Sequence, residues 1–379
     1  MKRCSRCIYD ETIPNISFDS NGECNYCKEY DRMNIEYPTG DKGWSILEKL
    51  ASKIKEDQKD SKYDVVVGVS GGCDSSYTYY IAKKLGLRVL AVHFDNTWNT
   101  AVAVENIINL LRDKGDCLHA YVVSKLEYND IFKAFIRANI PDIDAPTDLA
   151  LATVLYQAAE EYNIKYIFEG HSFRTEGIAP IGWVYMDAKY IYDVHSKFGT
   201  VPMKSYPNLW LKRWFKWMFV DKIKKIRPLY YIDYDKEKVK KLLADEYGWQ
   251  WYGGHHMENV TAYFTNNFWF PRFGIDLRIS EYAAMVRSGL ISREEALEIV
   301  NTPHELDEEI IAEVKKRLNF SDEEFDYIIN KAKKRSRSDF RTYKPLFEIL
   351  RPIFYVLYKT NFVTKSFYIK YCIPEKAND

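Results

Sequence analysis

Apolar and polar positions change period along this chain. Between residues 63 and 200, short apolar runs at Asp64–Val69, Arg88–Phe94, Leu118–Val123 and Lys165–Phe168 read as buried strands. Between them the spacing shifts to that of helices, over Ser75–Leu85, Ala101–Lys114 and Leu149–Tyr162. The second carries Val104, Ile107, Ile108 and Leu111 on one face, and the third follows the capping candidates Thr147 and Asp148. Alternating strands and helices predict parallel βαβ units and a doubly wound α/β sheet of order 3-2-1-4. A further helix is expected over "GWSILEKLASKIKED". The pattern divides the chain into four regions: a turn-rich segment (1–40), the α/β domain (41–200), a mostly helical region (201–335) and a tail (336–379). The helical region is interrupted by "YGGHHMEN" and "FPRFGID".

The 379 residues carry 54 Lys and Arg against 54 Asp and Glu, so no global field draws the protein to nucleic acid or membrane. No apolar run approaches the ~18 residues of a membrane span, and the start "MKRCSRCIYDE" lacks an apolar signal core. A cytoplasmic location is expected. Charge is uneven only near the end, where Lys331–Cys372 holds eleven basic residues against two acidic ones, with aromatics interleaved. That tail reads either as a peripheral membrane or partner contact or as closing helices with solvated basic faces, and the second reading is preferred.

Cys4, Cys7, Cys24 and Cys27 form two C-x2-C pairs among turn residues, the spacing of a structural zinc site. Two intervening residues let both thiolates of a pair face one tetrahedral ion, and a closed shell of sulfur leaves the metal no chemistry. The remaining cysteines, Cys73, Cys117 and Cys372, have no partner in the sequence.

The stretch "VVVGVSGGCDSSYTYY" puts two glycines, three serines and an aspartate between a strand and a helix. Glycines allow close backbone approach, and the N–H groups and hydroxyls at a helix start make an anion cradle. The spacing is neither that of a Walker A loop nor that of a dinucleotide fingerprint. Two further loops, "VHFDNTWN" and "IFEGHSF", end the second and fourth strands and should flank the glycine loop at the carboxyl edge of the sheet.

"SGGCDS" after a buried strand resembles the S-G-G-x-D-S pyrophosphate (PP) loop of the ATP pyrophosphatase superfamily. The resemblance implies that Ser70, Gly71, Gly72, Ser75 and Ser76 cradle pyrophosphate and that Asp74 holds Mg²⁺. It further implies that His93, Phe94 and Asp95 lie near adenosine, with Glu169, Gly170 and His171 bordering the reacting centre. Ser70, Asp74, Glu169 and His171 are the implied catalytic set. The four cysteines, "SGGCDSSY", "EGHSFRTEG" and the block "WYGGHHMEN…FPRFGIDLR…SREEAL" together resemble the N-acetyl sugar amidotransferase family over residues 1–335.

That likeness implies an ATP-dependent enzyme that converts an acetamido group of a nucleotide-linked bacterial surface sugar to an acetamidino group through an O-adenylyl imidate. Ammonia would come from separate glutaminase and channel subunits similar to the histidine-pathway synthase pair, and no nucleic acid is expected. His255, Glu258, Arg272 and Arg278 would line the sugar pocket, although Asp276 and Arg278 read equally as a helix cap or ion pair. The alternatives are a tRNA-thiolating enzyme of the same superfamily, with Cys73 as its one cysteine candidate, and a silent zinc-and-nucleotide scaffold.

Overall fold

The computed structural model describes residues 2–112, 116–253, 259–304, 306–360, 362–363 and 365–374. Two helices, α1 (Asn25–Glu36) and α2 (Gly40–Asp57), precede a five-stranded parallel sheet. Its strands are β1 (Val65–Gly68), β2 (Val89–Asp95), β3 (Cys117–Val122), β4 (Tyr166–Phe168) and β5 (Lys224–Ile226), in the order β3-β2-β1-β4-β5. The expected 3-2-1-4 order is present with one strand added. β5 pairs Lys224 with Tyr166 at the sheet edge. At three residues, two of them lysine, it is too short and too polar to show as an apolar run.

Helices α3 (Cys73–Lys84), α4 (Ala101–Leu111), α5 (Lys125–Ala138) and α6 (Ala145–Glu161) connect the strands. Neither Thr147 nor Asp148 caps α6. Both lie in its first turn, Asp144 is the cap, and the Asp144 carboxylate accepts the Thr147 hydroxyl at 2.8 Å. Helix α5 did not stand out in the sequence, because Glu127 and Asp130 interrupt its buried face. Both acids are buried and satisfied: Glu127 accepts the backbone N–H groups of Lys204, Ser205 and Tyr206, and Asp130 those of Thr200 and Val201.

The period-2 geometry of a strand explains how the sheet fills two cores. Val66, Leu90, Val92 and Ile167 face one apolar cluster with α5 and α6, while Val65, Val67, Val89 and Phe168 face the other with α2, α3 and α4. Each fully buried aliphatic side chain contributes about 1.5–3 kcal/mol.

Between β4 and β5 lie α7 (Ala188–Phe198) and α8 (Leu211–Phe215), and past the sheet come α9 (Lys236–Tyr247), α10 (Val260–Tyr263) and α11 (Leu277–Arg287). They are followed by α12 (Arg293–Asn301), α13 (Glu308–Arg317), α14 (Asp322–Asn330), α15 (Lys344–Ile349), α16 (Arg351–Lys359) and α17 (Lys365–Phe367). The first apolar cluster draws on all four sequence regions, from Cys4 to Cys372. The tail packs through Phe347, Phe354 and Tyr371, and Lys365 reaches Glu29 of α1 at 2.5 Å. Among the described residues no helix is long and apolar enough to cross a membrane.

Candidate active site and metal centre

The glycine loop joins β1 to α3 at the carboxyl edge of the sheet. Gly71 has φ +84°, and a Cβ there would lie 2.3 Å from the Ala103 carbonyl oxygen, so only glycine fits. Its carbonyl accepts the Trp249 indole N–H at 2.9 Å and the Asn106 amide at 3.2 Å, which pins the loop from below. The Ser75 hydroxyl accepts the Ser70 N–H at 3.2 Å, and the Ser70 hydroxyl accepts the Gly72 N–H at 3.3 Å. Ser76 is fully buried and its hydroxyl has no hydrogen-bond partner. It lies beneath the loop, an orphan donor rather than part of an open rim.

The loop after β4 lies directly on the start of α3. A Cβ on Gly170 would approach the Asp74 carbonyl oxygen to 2.9 Å and the Ser75 Cα to 3.0 Å. Glu169 and His171 are therefore brought to Asp74. Glu169 accepts Lys225 Nζ at 2.5 Å and Arg227 Nε at 3.2 Å. Burial disfavours its charge, but these two cations outweigh burial and hold its pKa at about 2. His171 is driven the other way. Burial, helped by Arg227, lowers its pKa to about 3, so the ring is neutral and its Nδ1 lies 3.2 Å from the Tyr230 hydroxyl. A Glu169 that stays ionised and a His171 that stays neutral are poor proton shuttles near pH 7. They are better suited to holding charge and geometry.

Sequence reasoning missed the cations of this cleft. Lys225 comes from the unexpected edge strand, Arg227 from the residue just after it, and Lys236 from the start of α9. Lys236 Nζ lies 3.7 Å from Asp74 and 3.4 Å from Glu281, and Asp74 also accepts the Tyr234 hydroxyl. Glu176, two turns of loop beyond Glu169, was missed as well. Burial and the neighbouring Asp74 raise its pKa well above the ordinary value, against the pull of Lys236. Carboxylates crowded in this way call for a cation, and Asp74 with Glu176 offers the hard oxygen ligands that Mg²⁺ takes beside phosphate.

Other expected site residues are engaged by the protein. His93 is buried, with Nδ1 2.7 Å from the Val69 carbonyl oxygen and Nε2 3.0 Å from the Asn99 amide, and burial lowers its pKa. Phe94 is buried in the sheet, and Asp95 accepts the Thr97 N–H at 2.6 Å and the Asn99 amide at 3.0 Å. Arg272 donates to the Ile329 carbonyl at 2.9 Å and stacks 4.4 Å over Trp269. Arg278 pairs at 2.8 Å with Asp276, the N-cap of α11, and donates to the Thr302 carbonyl at 2.9 Å. Both arginines tie helices together in this structure. His255 and Glu258 lie outside the described residues.

The four N-terminal cysteines are buried, with their sulfurs all within 4.8 Å of one another. Separations of 3.8 Å for Cys4–Cys27, 3.8 Å for Cys7–Cys24 and 3.6 Å for Cys24–Cys27 match a tetrahedron around zinc. Zn–S bonds of ~2.3 Å give tetrahedral edges of about 3.8 Å. The donor set fits a structural zinc. Two arginines hold the knot from outside. Arg287 donates to Cys27 Sγ at 3.3 Å and to Cys7 Sγ at 3.2 Å, and Arg293 donates to the carbonyls of Cys7 and Cys4, each at 3.1 Å.

Comparison with known proteins gives two signals. The family profile described as "LPS biosynthesis protein WbpG-like, C-terminal domain" matches residues 257–353. An uncharacterized protein of Methanocaldococcus jannaschii is 23% identical over 320 residues, 81% of this chain and 97% of that protein. A probable mitochondrial tRNA-specific 2-thiouridylase of Caenorhabditis elegans is 28% identical over 127 residues, 29% of this chain and 34% of its own length. An NH3-dependent NAD synthetase structure from Campylobacter jejuni has a TM-score of 0.30 at 19% identity, covering 73% of this chain and 93% of that chain. A superposition that loose carries no functional argument.

The loop and these relatives together put the chain among PP-loop ATP pyrophosphatases, with a link to surface-polysaccharide biosynthesis. They also correct the expected partners. Several matching proteins are named as tRNA-modifying enzymes, so the expectation of a partner set without nucleic acid does not stand.

Proposed function

We propose that the chain cleaves ATP between its α- and β-phosphates and places AMP on a carbonyl oxygen of an acceptor, from which a sulfur or nitrogen nucleophile displaces it. The observation that carries this reading is the meeting of the SGGCDSS loop, the Glu169–His171 loop and three cations at one edge of the sheet. In the first step the acceptor oxygen bonds to the α-phosphorus as the bond to pyrophosphate breaks. In the second the nucleophile bonds to the acceptor carbon, and AMP leaves with the acceptor's oxygen.

The loop N–H groups and the hydroxyls of Ser70 and Ser75 hold the departing pyrophosphate. Lys225 and Arg227, fixed by Glu169, put positive charge beside the phosphoryl group in transfer, where preorganised charge lowers the barrier most. Magnesium, when bound, neutralises phosphate charge, and Asp74 and Glu176 are the residues that would hold it.

The acceptor divides two readings. Thiolation of a tRNA base is supported by the named relatives, and the comparisons back it better than they back the sugar. Conversion of an acetamido to an acetamidino group is favoured by one specific observation, the placement of the cysteines. Four form the knot, Cys73 and Cys372 are buried, and the exposed Cys117 starts β3 at the end of the sheet opposite the loop. That arrangement suits a nitrogen nucleophile better than sulfur carried on the protein. The polysaccharide-related match over residues 257–353 points the same way.

The test is AMP and pyrophosphate release from MgATP, with unmodified tRNA and a sulfide source in one arm and nucleotide-linked N-acetyl sugars with ammonium in the other. Release with tRNA and a heavier, sulfur-bearing base establishes thiolation. Release with a sugar whose acetamido oxygen is replaced by NH establishes amidination. Hydrolysis to ADP and phosphate in both arms would reject adenylation altogether.

A further inference from the structure

One helix touches both chemical centres of the molecule. At its C-terminal end Arg287 donates to the sulfurs of Cys27 and Cys7 at 3.3 and 3.2 Å, its guanidinium stacked 4.4 Å over the buried ring of Tyr9. Less than two turns earlier, Glu281 pairs with Lys236 at 3.4 Å, and Lys236 lies 3.7 Å from Asp74 of the phosphate loop. On either side of Glu281 the helix packs against the loop that bears Glu176. A Cβ on Gly177 would come within 2.7 Å of the Ser280 carbonyl oxygen and 3.3 Å of the Ala284 methyl. Just past the helix end, the Ser288 hydroxyl donates to the Arg174 carbonyl at 2.8 Å. The Arg174 guanidinium in turn donates to the carbonyls of Tyr230 and Tyr37, each at 2.7 Å.

We propose that α11 couples the two centres: Arg287 responds to the charge of the metal–thiolate knot, and the helix carries that state to Lys236 and Asp74, so that zinc loading tightens MgATP binding. This rests on the reading of the SGGCDSS loop as the MgATP site.

The physical basis is the charge that the metal creates. Four thiols that take up Zn²⁺ release four protons to solvent, and the centre changes from neutral to a net charge of −2. Arg287 then has a counter-charge within hydrogen-bond reach, and charge-assisted bonds to two sulfurs fix the last turn of α11. Without the metal, a half-buried guanidinium faces neutral thiols and an aromatic ring, and the turn keeps only neutral contacts such as the Ser288 hydroxyl on the Arg174 carbonyl. A rigid helix hands displacement on to whatever it contacts. Here the contacts are the Glu281–Lys236–Asp74 chain and the Glu176 loop, which are the groups proposed to handle the phosphates and their cation. Arg293 holds the knuckle by two carbonyl bonds that do not depend on sulfur charge. The knot therefore stays docked while Arg287 responds. Arg287 touches neither nucleotide nor acceptor in this scheme, so it is a positioning residue.

The experiment measures MgATP affinity by calorimetry on the full chain, with zinc content read in parallel. Four samples are compared: zinc-loaded wild type, zinc-depleted wild type, zinc-loaded Arg287→Met and zinc-loaded Arg287→Lys. A coupling of ordinary size is about tenfold. The expected pattern is about tenfold weaker binding by depleted wild type and by Arg287→Met, the latter with one zinc per chain still bound, and partial recovery in Arg287→Lys. Adding Glu281→Gln to Arg287→Met should weaken binding no further, because both changes cut one path. Unchanged affinity in folded, zinc-replete Arg287→Met overturns the proposal, even where zinc depletion unfolds the chain. Additive losses in the double variant overturn it too. If zinc-loaded wild type binds no MgATP, the reading of the loop itself has failed.

Discussion

The metal knot and the nucleotide cleft solve the same problem, gathering ionisable groups away from water, in opposite ways. The knot takes four identical ligands from a short stretch of chain, and a single ion would supply much of its folding energy. The cleft takes Asp74, Glu169, Glu176, Lys225, Arg227 and Lys236 from separate elements and sets Glu169 against Lys225 and Arg227, and Asp74 against Lys236. The difference bears on robustness. A site that hangs on one ion should fail all at once, whereas a site balanced pairwise should fail by degrees.

Four substitutions, with Glu169→Gln as a comparator for the third, probe that contrast, the most damaging first. Cys24→Ser removes one of four zinc ligands. Structural zinc contributes ~10 kcal/mol or more to small metal-folded segments, so zinc content should fall towards zero and the cooperative unfolding transition should be largely lost. Zinc analysis and thermal unfolding check it. Asp74→Ala should leave the fold intact while AMP release drops by about 10³-fold, the scale of a lost charge-stabilising group. Circular dichroism beside the rate assay separates the two effects.

Lys225→Ala should cost less, about 10–100-fold in rate, because Arg227 still pairs with Glu169. Its pH signature sharpens the point. Glu169 titrates at about 2 in the fold against an ordinary 4.5. A depressed carboxylate pKa contributes stability that is fully present above pH 4.5 and lost as pH falls towards 2. Urea unfolding at pH 5 and pH 3 should show wild type losing ~1–2 kcal/mol more over that interval than Glu169→Gln. A parallel fall in both proteins would mean that the Lys225–Glu169–Arg227 group does not act as a unit.

Cys73→Ala should change least, within about twofold in rate, since the thiol is buried beside Tyr234 and burial raises its pKa to about 11. A large loss of activity would instead favour sulfur carried on the protein and strengthen the tRNA reading.

The contrast also explains what the sequence made legible. The cysteine pairs could be read because the spacing that binds the ion is local. β1, β2 and β4 could be read because buried parallel strands are apolar runs, β3 because its sequence is apolar although the strand is largely exposed, and the phosphate loop because its glycines and serines are contiguous. Lys225 and Arg227 lie in the region read as mostly helical, and their meaning depends on an edge strand that exists only by pairing with β4. Lys236 and Glu281 are brought together by tertiary packing across 45 positions. The partners of Arg272 and Arg278 are equally tertiary, since the carbonyls of Ile329 and Thr302 accept from them. Thr147 and Asp148 showed the smaller failure of a cap read one turn late.

The most direct test of adenylation follows an oxygen atom. An acceptor that supports AMP release would be prepared with ¹⁸O in its reacting carbonyl and turned over with MgATP and the nucleophile. The expected result is AMP carrying one ¹⁸O, pyrophosphate carrying none, and an acceptor that has lost its label. Label retained in the acceptor, or found in inorganic phosphate beside ADP, would contradict the proposed chemistry.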